Sequence, residues 1–253
     1  MIYIGITGHR GAGKTTIAYL LGNVLERLKR GDDQNDIRLL FNNWCDTIRS
    51  NNNAIYDCPL YYIYFDEFGE YAKSFVSQLL SIDMTLLDNG TMKDNMYVNL
   101  KDFSMHTNKA DVAVSIDDYI SSIPNTDKPM KLKTDTYMSL RNFVEFFSVD
   151  IMQKYFGGDV WLKARTVSKE KYGEVETGWR VFSDVKLTTE AKYIKANNGF
   201  IIKVTRPSNR KMSTKLTSTG DIEVDYILET EGKLENLFDK IFNIAKDIYE
   251  KSR

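Results

Sequence analysis

Residues 8–15 read Gly-His-Arg-Gly-Ala-Gly-Lys-Thr and satisfy the spacing G-x-x-x-x-G-K-[ST], the pattern of a loop that holds the phosphates of a nucleotide. Chemistry accounts for the spacing. Glycines let the main chain curl until several N–H groups point at one anion. A helix starting near Lys14 aims the positive end of its dipole at the same place. The Lys14 ammonium can reach β- and γ-phosphates, and the Thr15 hydroxyl can ligate Mg2+. The expected cradle is Gly8, Arg10, Gly11, Ala12, Gly13, Lys14, Thr15 and Thr16. Kinases, GTPases and ATP-driven machines share such a loop, so it speaks for a phosphate donor and leaves the acceptor open.

A second group of reactive side chains lies in residues 181–207. Asp184 lies at the end of a strand-like run, and Lys186 and Arg206 follow the carboxyl ends of such runs. Open α/β sheets bind ligands beyond the carboxyl ends of their strands. Lys186 and Arg206 are therefore candidates to meet phosphates. Asp184 is a candidate to hold the hydration shell of Mg2+ or to position an acceptor group; the alternative is that it caps the next helix.

These side chains can act only where secondary structure positions them. Residues 2–7 are mostly apolar, as a buried parallel strand should be. Residues 14–29 place Ile17, Leu20, Leu21, Val24, Leu25 and Leu28 on one helical stripe, which Gly31 and its acidic neighbours end. A second helix is expected over 37–50, a strand over 60–65 and a helix over 66–82. The polar stretch 85–136 looks like an insertion or lid. Helical periodicity returns over 137–156, and another helix begins at Asp159 as N-cap. Strands are expected next at 178–185, 200–207 and 224–229, with helices at 188–199 and 233–253. Strands separated by helices predict an α/β fold, a three-layer sandwich with a mostly parallel central sheet and helices on both faces. At 253 residues the expectation is one domain, 1–253, carrying the 85–136 insertion.

Composition narrows the partners. A formal net charge of -1 argues against a general nucleic-acid coat, so no direct nucleic-acid partner is expected. Cys45 and Cys58 form no C-x-x-C pair, and His9 and His106 are too scattered for zinc, which points to thiols in a reducing compartment. The chain opens on a strand-like run with no basic n-region, and no stretch approaches the ~20 apolar residues of a membrane span. A soluble cytoplasmic protein with no membrane partner is expected. Fifteen Tyr beside abundant Asn, Lys, Asp and Ile suggest an AT-rich coding source such as a phage, which would make that the host cytoplasm.

The layout of 181–207, strand, Asp-Val-Lys, helix, Asn-Gly, strand, Arg-Pro, resembles the deoxynucleoside monophosphate kinases of bacteriophages. Asp184, Val185 and Lys186 fill that family's D-V-R, with Lys for Arg. Glu190 and Ala191 fill its E-A, and Arg206 and Pro207 its R-P. Upstream, 140–162 is similar to the family's R-x-L-L-Q-x-x-G-T-D-V-G-R segment followed by Trp. Arg141 matches the first Arg, Asp150 the Asp and Trp161 the Trp. Glu145 stands for the Gln, Ser148 and Val149 for Gly-Thr, and Gln153 for the second Arg. The family's His and Ser-Glu element after R-P is missing; Arg165, Arg210, Lys211 and Lys215 are the basic residues available to substitute.

The resemblance implies a P-loop kinase that moves the γ-phosphate of ATP, with Mg2+, to a deoxynucleoside monophosphate. It implies Lys14, Asp184 and Arg141 as catalytic residues and Thr15 and Asp184 as the metal-holding pair. Arg206 joins the cradle on the ATP side, and Arg141, Asp150, Trp161, Lys186 and Glu190 form the acceptor side. Arg141 has the alternative of a solvated helix face, Trp161 of a core residue, and the basic loop 206–217 of an ordinary exposed loop and not a lid. Two other functions stay open: an ATP-binding accessory protein of viral DNA metabolism, and a kinase for another small acceptor. So do the oligomeric state, monomer or homodimer, and the accepted base.

Overall fold

The structure, a computed structural model, describes residues 1–9, 11–50, 60–107, 113–123, 136–165, 177–207 and 222–253. In chain order the elements are β1 (Ile2–Thr7), α1 (Lys14–Arg30), α2 (Gln34–Ser50), β2 (Ile63–Asp66), α3 (Glu70–Leu80), α4 (Met84–Asp88), α5 (Gly90–Asn95), β3 (Met96–Asn99), β4 (Met105–Thr107), β5 (Ala113–Val114) and α6 (Ile116–Ser122). Then come β6 (Tyr137–Ser139), α7 (Leu140–Glu145), β7 (Trp179–Phe182), α8 (Thr188–Ala196), β8 (Phe200–Thr205), β9 (Tyr226–Glu229) and α9 (Phe238–Lys251). The chain divides into two compact units, one made of Met1–Phe68 with Lys169–Arg253, the other of Gly69–Ser168. In sequence the second unit interrupts the connection from β2 to β7.

The first unit is built on a five-stranded sheet in the order β2-β7-β1-β8-β9. Every neighbouring pair is parallel, the α/β architecture expected from the alternation of strands and helices. Side chains alternate across a strand, and β1 shows how the two faces are covered. Ile4 and Ile6 belong to one core cluster with Ile17, Leu20, Leu21 and Val24 of α1 and Ile241 and Ala245 of α9. Gly5 faces the other way. A Cβ there would come within 2.6 Å of Ile194 in α8, so a bare backbone lets that helix lie close to the sheet. The α8 side is finished by aromatic rings. Phe68 stacks on Phe182 at 4.5 Å, and Tyr3 meets both Phe182 and Tyr193. Such contacts hold the carboxyl ends of β2 and β7 in register, since each aromatic pair adds about 0.5–1.5 kcal/mol beyond its buried area.

The second unit carries its own four-stranded sheet, order β4-β3-β6-β5, and its own core around Val76, Leu87, Val98, Met138, Leu140 and Phe143. This differs from the sequence expectation in two places. The polar stretch 85–136 contributes α5, β3, β4, β5 and α6, with strands of only two to four residues; runs that short show no readable alternation. Tyr137–Ser139 is a strand and not the start of a helix, because its pairing with Asn99, Val98 and Tyr97 overrides the helical spacing that continues after it. Ser139 then caps α7 by accepting from the Asn142 N–H. The same helix continues with π-type winding over Phe146–Gln153 and ends at Phe156.

Candidate active site

Parallel strands of the first unit end at one edge of the sheet, and the segments leaving those ends build the site. β1 leads into the Gly8–Lys14 loop, β2 into Asp66–Phe68, β7 into Ser183–Lys186 and β8 into Arg206.

The loop is shaped by its glycines. Gly8 has φ 146°, and a Cβ on it would sit 2.2 Å from the Val204 carbonyl oxygen, so the main chain leaves β1 tight against β8. Gly11 and Gly13 have φ 77° and 89°, yet a Cβ on either would meet nothing within 4 Å. Backbone conformation alone demands glycine there, and the space in front of the turn stays clear. Thr230, just past β9, donates to the Ala12 carbonyl at 3.3 Å and the Thr205 carbonyl at 3.1 Å, tying the loop to the sheet. α1 starts at Lys14 with no side-chain cap and no acid in its first turn. Its exposed N–H groups and dipole suit an anion.

Lys14 Nζ donates to the Gly8 and His9 carbonyls at 3.1 and 3.0 Å. Burial lowers its pKa first, the neighbouring Lys186 ammonium adds to that, and Asp184 opposes it. The three charges therefore share one field. Thr15 is exposed and Thr16 half-buried, while Lys186 and Arg206 are both exposed. At the end of β1, Thr7 is buried and its Oγ1 has no partner among the described residues, an arrangement that is costly unless a water or ligand atom answers it.

Asp184 Oδ1 accepts from the Phe68 N–H at 2.9 Å, fastening the end of β7 to the end of β2. The N–H groups ahead of α8 go to a different acid. Glu190 Oε2 accepts from Lys186 N at 2.7 Å and Leu187 N at 2.9 Å, so Glu190 shapes the turn that presents Lys186. Glu190 is only 7% exposed. Burial pushes its carboxyl from the ordinary 4.5 up to about 7, against the two N–H donors and with help from Asp184. Between pH 4.5 and 7 the native state holds the proton that the unfolded chain has lost, so this group's contribution to stability falls as pH rises through that window. Glu190→Gln keeps an oxygen for both N–H groups. It is expected to remove that slope and to stabilise the protein at pH 8 by about 1–3 kcal/mol, as read from urea unfolding at pH 5 and pH 8.

Sequence reasoning missed Asp66, Glu67 and Arg180. Asp66, 6% exposed at its side chain, pairs with Arg180 of β7 at 2.8 Å, and Asp66 Oδ1 also accepts from Glu67 N. Ser183 donates to Glu67 at 3.2 Å. The available signal was Asp66 closing the apolar run 60–65, as Asp184 closes the run at β7. Arg180→Ala leaves a buried carboxylate without its countercharge and is expected to cost about 3 kcal/mol in urea unfolding.

Arg141, Asp150 and Trp161 belong to the second unit. Arg141 is held by α5: its guanidinium pairs with both oxygens of Asp94 and donates to the Gly90 carbonyl at 2.9 Å. It is thus an anchored residue within this unit and not a solvated one. Asp150 lies on the π-type segment, where burial and then Asp117 raise its pKa against Lys154. Trp161 is 8% exposed and its indole N–H is spent on the Ser148 carbonyl at 3.1 Å, so its ring is part of the core. Arg165 is buried too. Arg10, Cys58, Arg210, Lys211, Lys215 and most of the loop 206–217 lie outside the described residues.

A further motif escaped the sequence reading. Asn108-Lys109-Ala110-Asp111 spells N-K-x-D, a guanine-reading pattern, in the chain between β4 and β5. It also lies outside the described residues, and its flanking strands belong to the second unit's sheet and not to the parallel sheet that carries the phosphate loop. Letters without that context are weak evidence.

Among the described residues no group of three or more His, Cys, Asp or Glu is placed to hold a metal. A loop of this type asks for less, one hydroxyl and one carboxylate completed by phosphate oxygens and water. Thr15 and Asp184 match that donor set. No helix among the described residues is long and apolar enough to cross a membrane. A family model described as deoxynucleotide monophosphate kinase matches residues 3–241. Among curated proteins none matches the chain.

Proposed function

The chain belongs to the deoxynucleotide monophosphate kinase family, and on that premise we propose that it moves the γ-phosphate of ATP to a deoxynucleoside monophosphate, releasing ADP and the deoxynucleoside diphosphate. The observation that carries the donor half is the glycine-shaped turn with Lys14 at its mouth, set at the same sheet edge as Asp184 and Lys186. Phosphoryl transfer needs positioning and charge neutralisation more than covalent chemistry. Each residue has a role in those terms. Lys14 exchanges two carbonyl partners for β- and γ-phosphate oxygens. Its lowered proton affinity reflects a desolvated cation, which interacts more strongly with an anion than a hydrated one. Thr15 and Asp184 would hold Mg2+, which would supply positive charge against the negative charge that develops on the phosphate. Lys186 and Arg206 steer phosphates toward the strand ends. We place the reaction in the cytoplasm.

A coupled ADP-release assay tests this. ATP with each deoxynucleoside monophosphate, one at a time, is expected to give acceptor-dependent ADP. GTP in place of ATP is expected to be the poorer donor. ADP release that ignores the acceptor would contradict the proposal.

A further inference from the structure

Within the phosphate loop, Lys14 answers the Gly8 and His9 carbonyls, and the Ile17 N–H answers the Gly13 carbonyl at 2.9 Å. The Ala12 carbonyl is answered from much farther along the chain, by the Thr230 hydroxyl 218 residues on. Ala12 is 5% exposed, so a carbonyl left without a partner there is costly. Thr230 itself is well fixed. It follows directly on β9, whose Glu229 pairs with Thr205 of β8, and its N–H donates to the Thr205 carbonyl at 2.8 Å. That N–H already answers Thr205, which leaves the hydroxyl proton for Ala12. All these residues belong to the first unit.

The direction of the Ala12 carbonyl decides where α1 begins. The first intrahelical bond runs from Ile17 N to Gly13 O, so Gly13 is the N-cap and Lys14, Thr15 and Thr16 form the first turn. A helix gives the N–H groups of that turn no intrahelical acceptor, and these are the donors that meet an anion at its end. An Ala12 carbonyl turned along the helix axis would accept from Thr16 N, start the helix one residue earlier and withdraw that donor from the phosphates. Ala12 has no other freedom to offer, since its own N–H is spent on the His9 carbonyl at 3.2 Å. We infer that Thr230 is a positioning residue for the donor nucleotide: its hydroxyl holds the Ala12 carbonyl out of the helix and so keeps the Thr16 N–H for a phosphate oxygen. The inference rests on the kinase reading for its ligand, ATP, and adds a residue that the phosphate-loop motif does not contain.

Thr230→Val keeps the shape of the side chain and removes the hydroxyl; Thr230→Ser keeps the hydroxyl and removes the methyl. Titration calorimetry with ADP and Mg2+ reads the donor site with no acceptor present, and steady-state kinetics adds the KM values for ATP and for the monophosphate. Thr230→Val is expected to weaken ADP binding about tenfold and to raise the KM for ATP by a similar factor, with the KM for the monophosphate within twofold. Thr230→Ser is expected to stay within twofold of wild type throughout. Thermal melts confirm folding. Where Thr230→Val does not fold, Thr230→Ala, which admits a water to the carbonyl, is expected to show the same loss, because a water does not fix the carbonyl's direction. A tie that served only the fold would lower the melting temperature and leave the dissociation constant alone, and that result would overturn the inference. So would a Thr230→Ser variant that lost affinity tenfold. A wild type that binds ADP and turns over no monophosphate would overturn the kinase reading, with the role of Thr230 still decided by the calorimetry. A wild type that binds no ADP would overturn both.

Discussion

Lys14→Ala is expected to lower kcat/KM for acceptor-dependent ADP release by about 1,000-fold or more, while thermal melting moves by only a few degrees. The magnitude is that of removing a preorganised charge from a phosphoryl-transfer site. The small cost to the fold has a structural reason. The Lys14 ammonium makes two hydrogen bonds, one to the carbonyl of exposed His9 and one to that of buried Gly8, so the variant leaves a single carbonyl inside the fold to be answered by water entering the space the amine vacates. The split matters, because a variant that lost activity by unfolding would show both changes at once. An ATP titration of the variant should show weakened but measurable binding, since the main-chain N–H groups of the loop remain. Retention of wild-type turnover would remove the donor site from the account.

The second large effect is expected from Gly8→Ala. The added methyl would lie 2.2 Å from the Val204 carbonyl oxygen, and a main-chain atom of a central strand cannot rotate away. The φ of 146° adds conformational strain. Left-handed strain of about 1–3 kcal/mol and overpacking of about 1–3 kcal/mol or more combine here, so a loss of about 4 kcal/mol is expected in urea unfolding, together with loss of ATP binding. Gly31→Ala is the matched control. Its φ is 87°, but a Cβ there meets nothing within 4 Å, so strain alone remains, roughly 1 kcal/mol. If both variants unfolded at the same urea concentration, the close approach of β1 to β8 would not be what fixes the loop.

The donor side was legible because three signals coincided in one stretch. Residues 2–7 are mostly apolar, the glycines come immediately after, and a helical stripe begins at Ile17. Each needs the others, and the strand, turn and helix form where they predict. The parallel sheet was legible for a related reason: β7 and β8 are largely apolar runs, buried or half-buried on both faces, which leaves little ambiguity about their neighbours. The second unit was not. Its strands are too short to carry a period, and their pairing is set by contacts between segments distant in sequence. Asp66 and Arg180 stand 114 residues apart, so no local pattern announces their ion pair. Trp161 illustrates the limit on single residues. A tryptophan offers a stacking surface wherever it stands in the sequence, and burial with its N–H on Ser148 is a tertiary fact. Glu190 illustrates another. Three residues into α8, its carboxylate reaches back to the N–H groups of the preceding turn, a local role that spacing permits but cannot distinguish from ligand contact.

The most direct measurement tracks the phosphorus itself. With ATP labelled at the γ-position and one deoxynucleoside monophosphate in excess, label is expected to leave ATP and accumulate in the deoxynucleoside diphosphate, one for each ADP formed, and to do neither with Lys14→Ala. Label that appears only as inorganic phosphate, or that leaves ATP at the same rate with Lys14 replaced, would contradict the claim that this loop hands a phosphoryl group to a nucleotide.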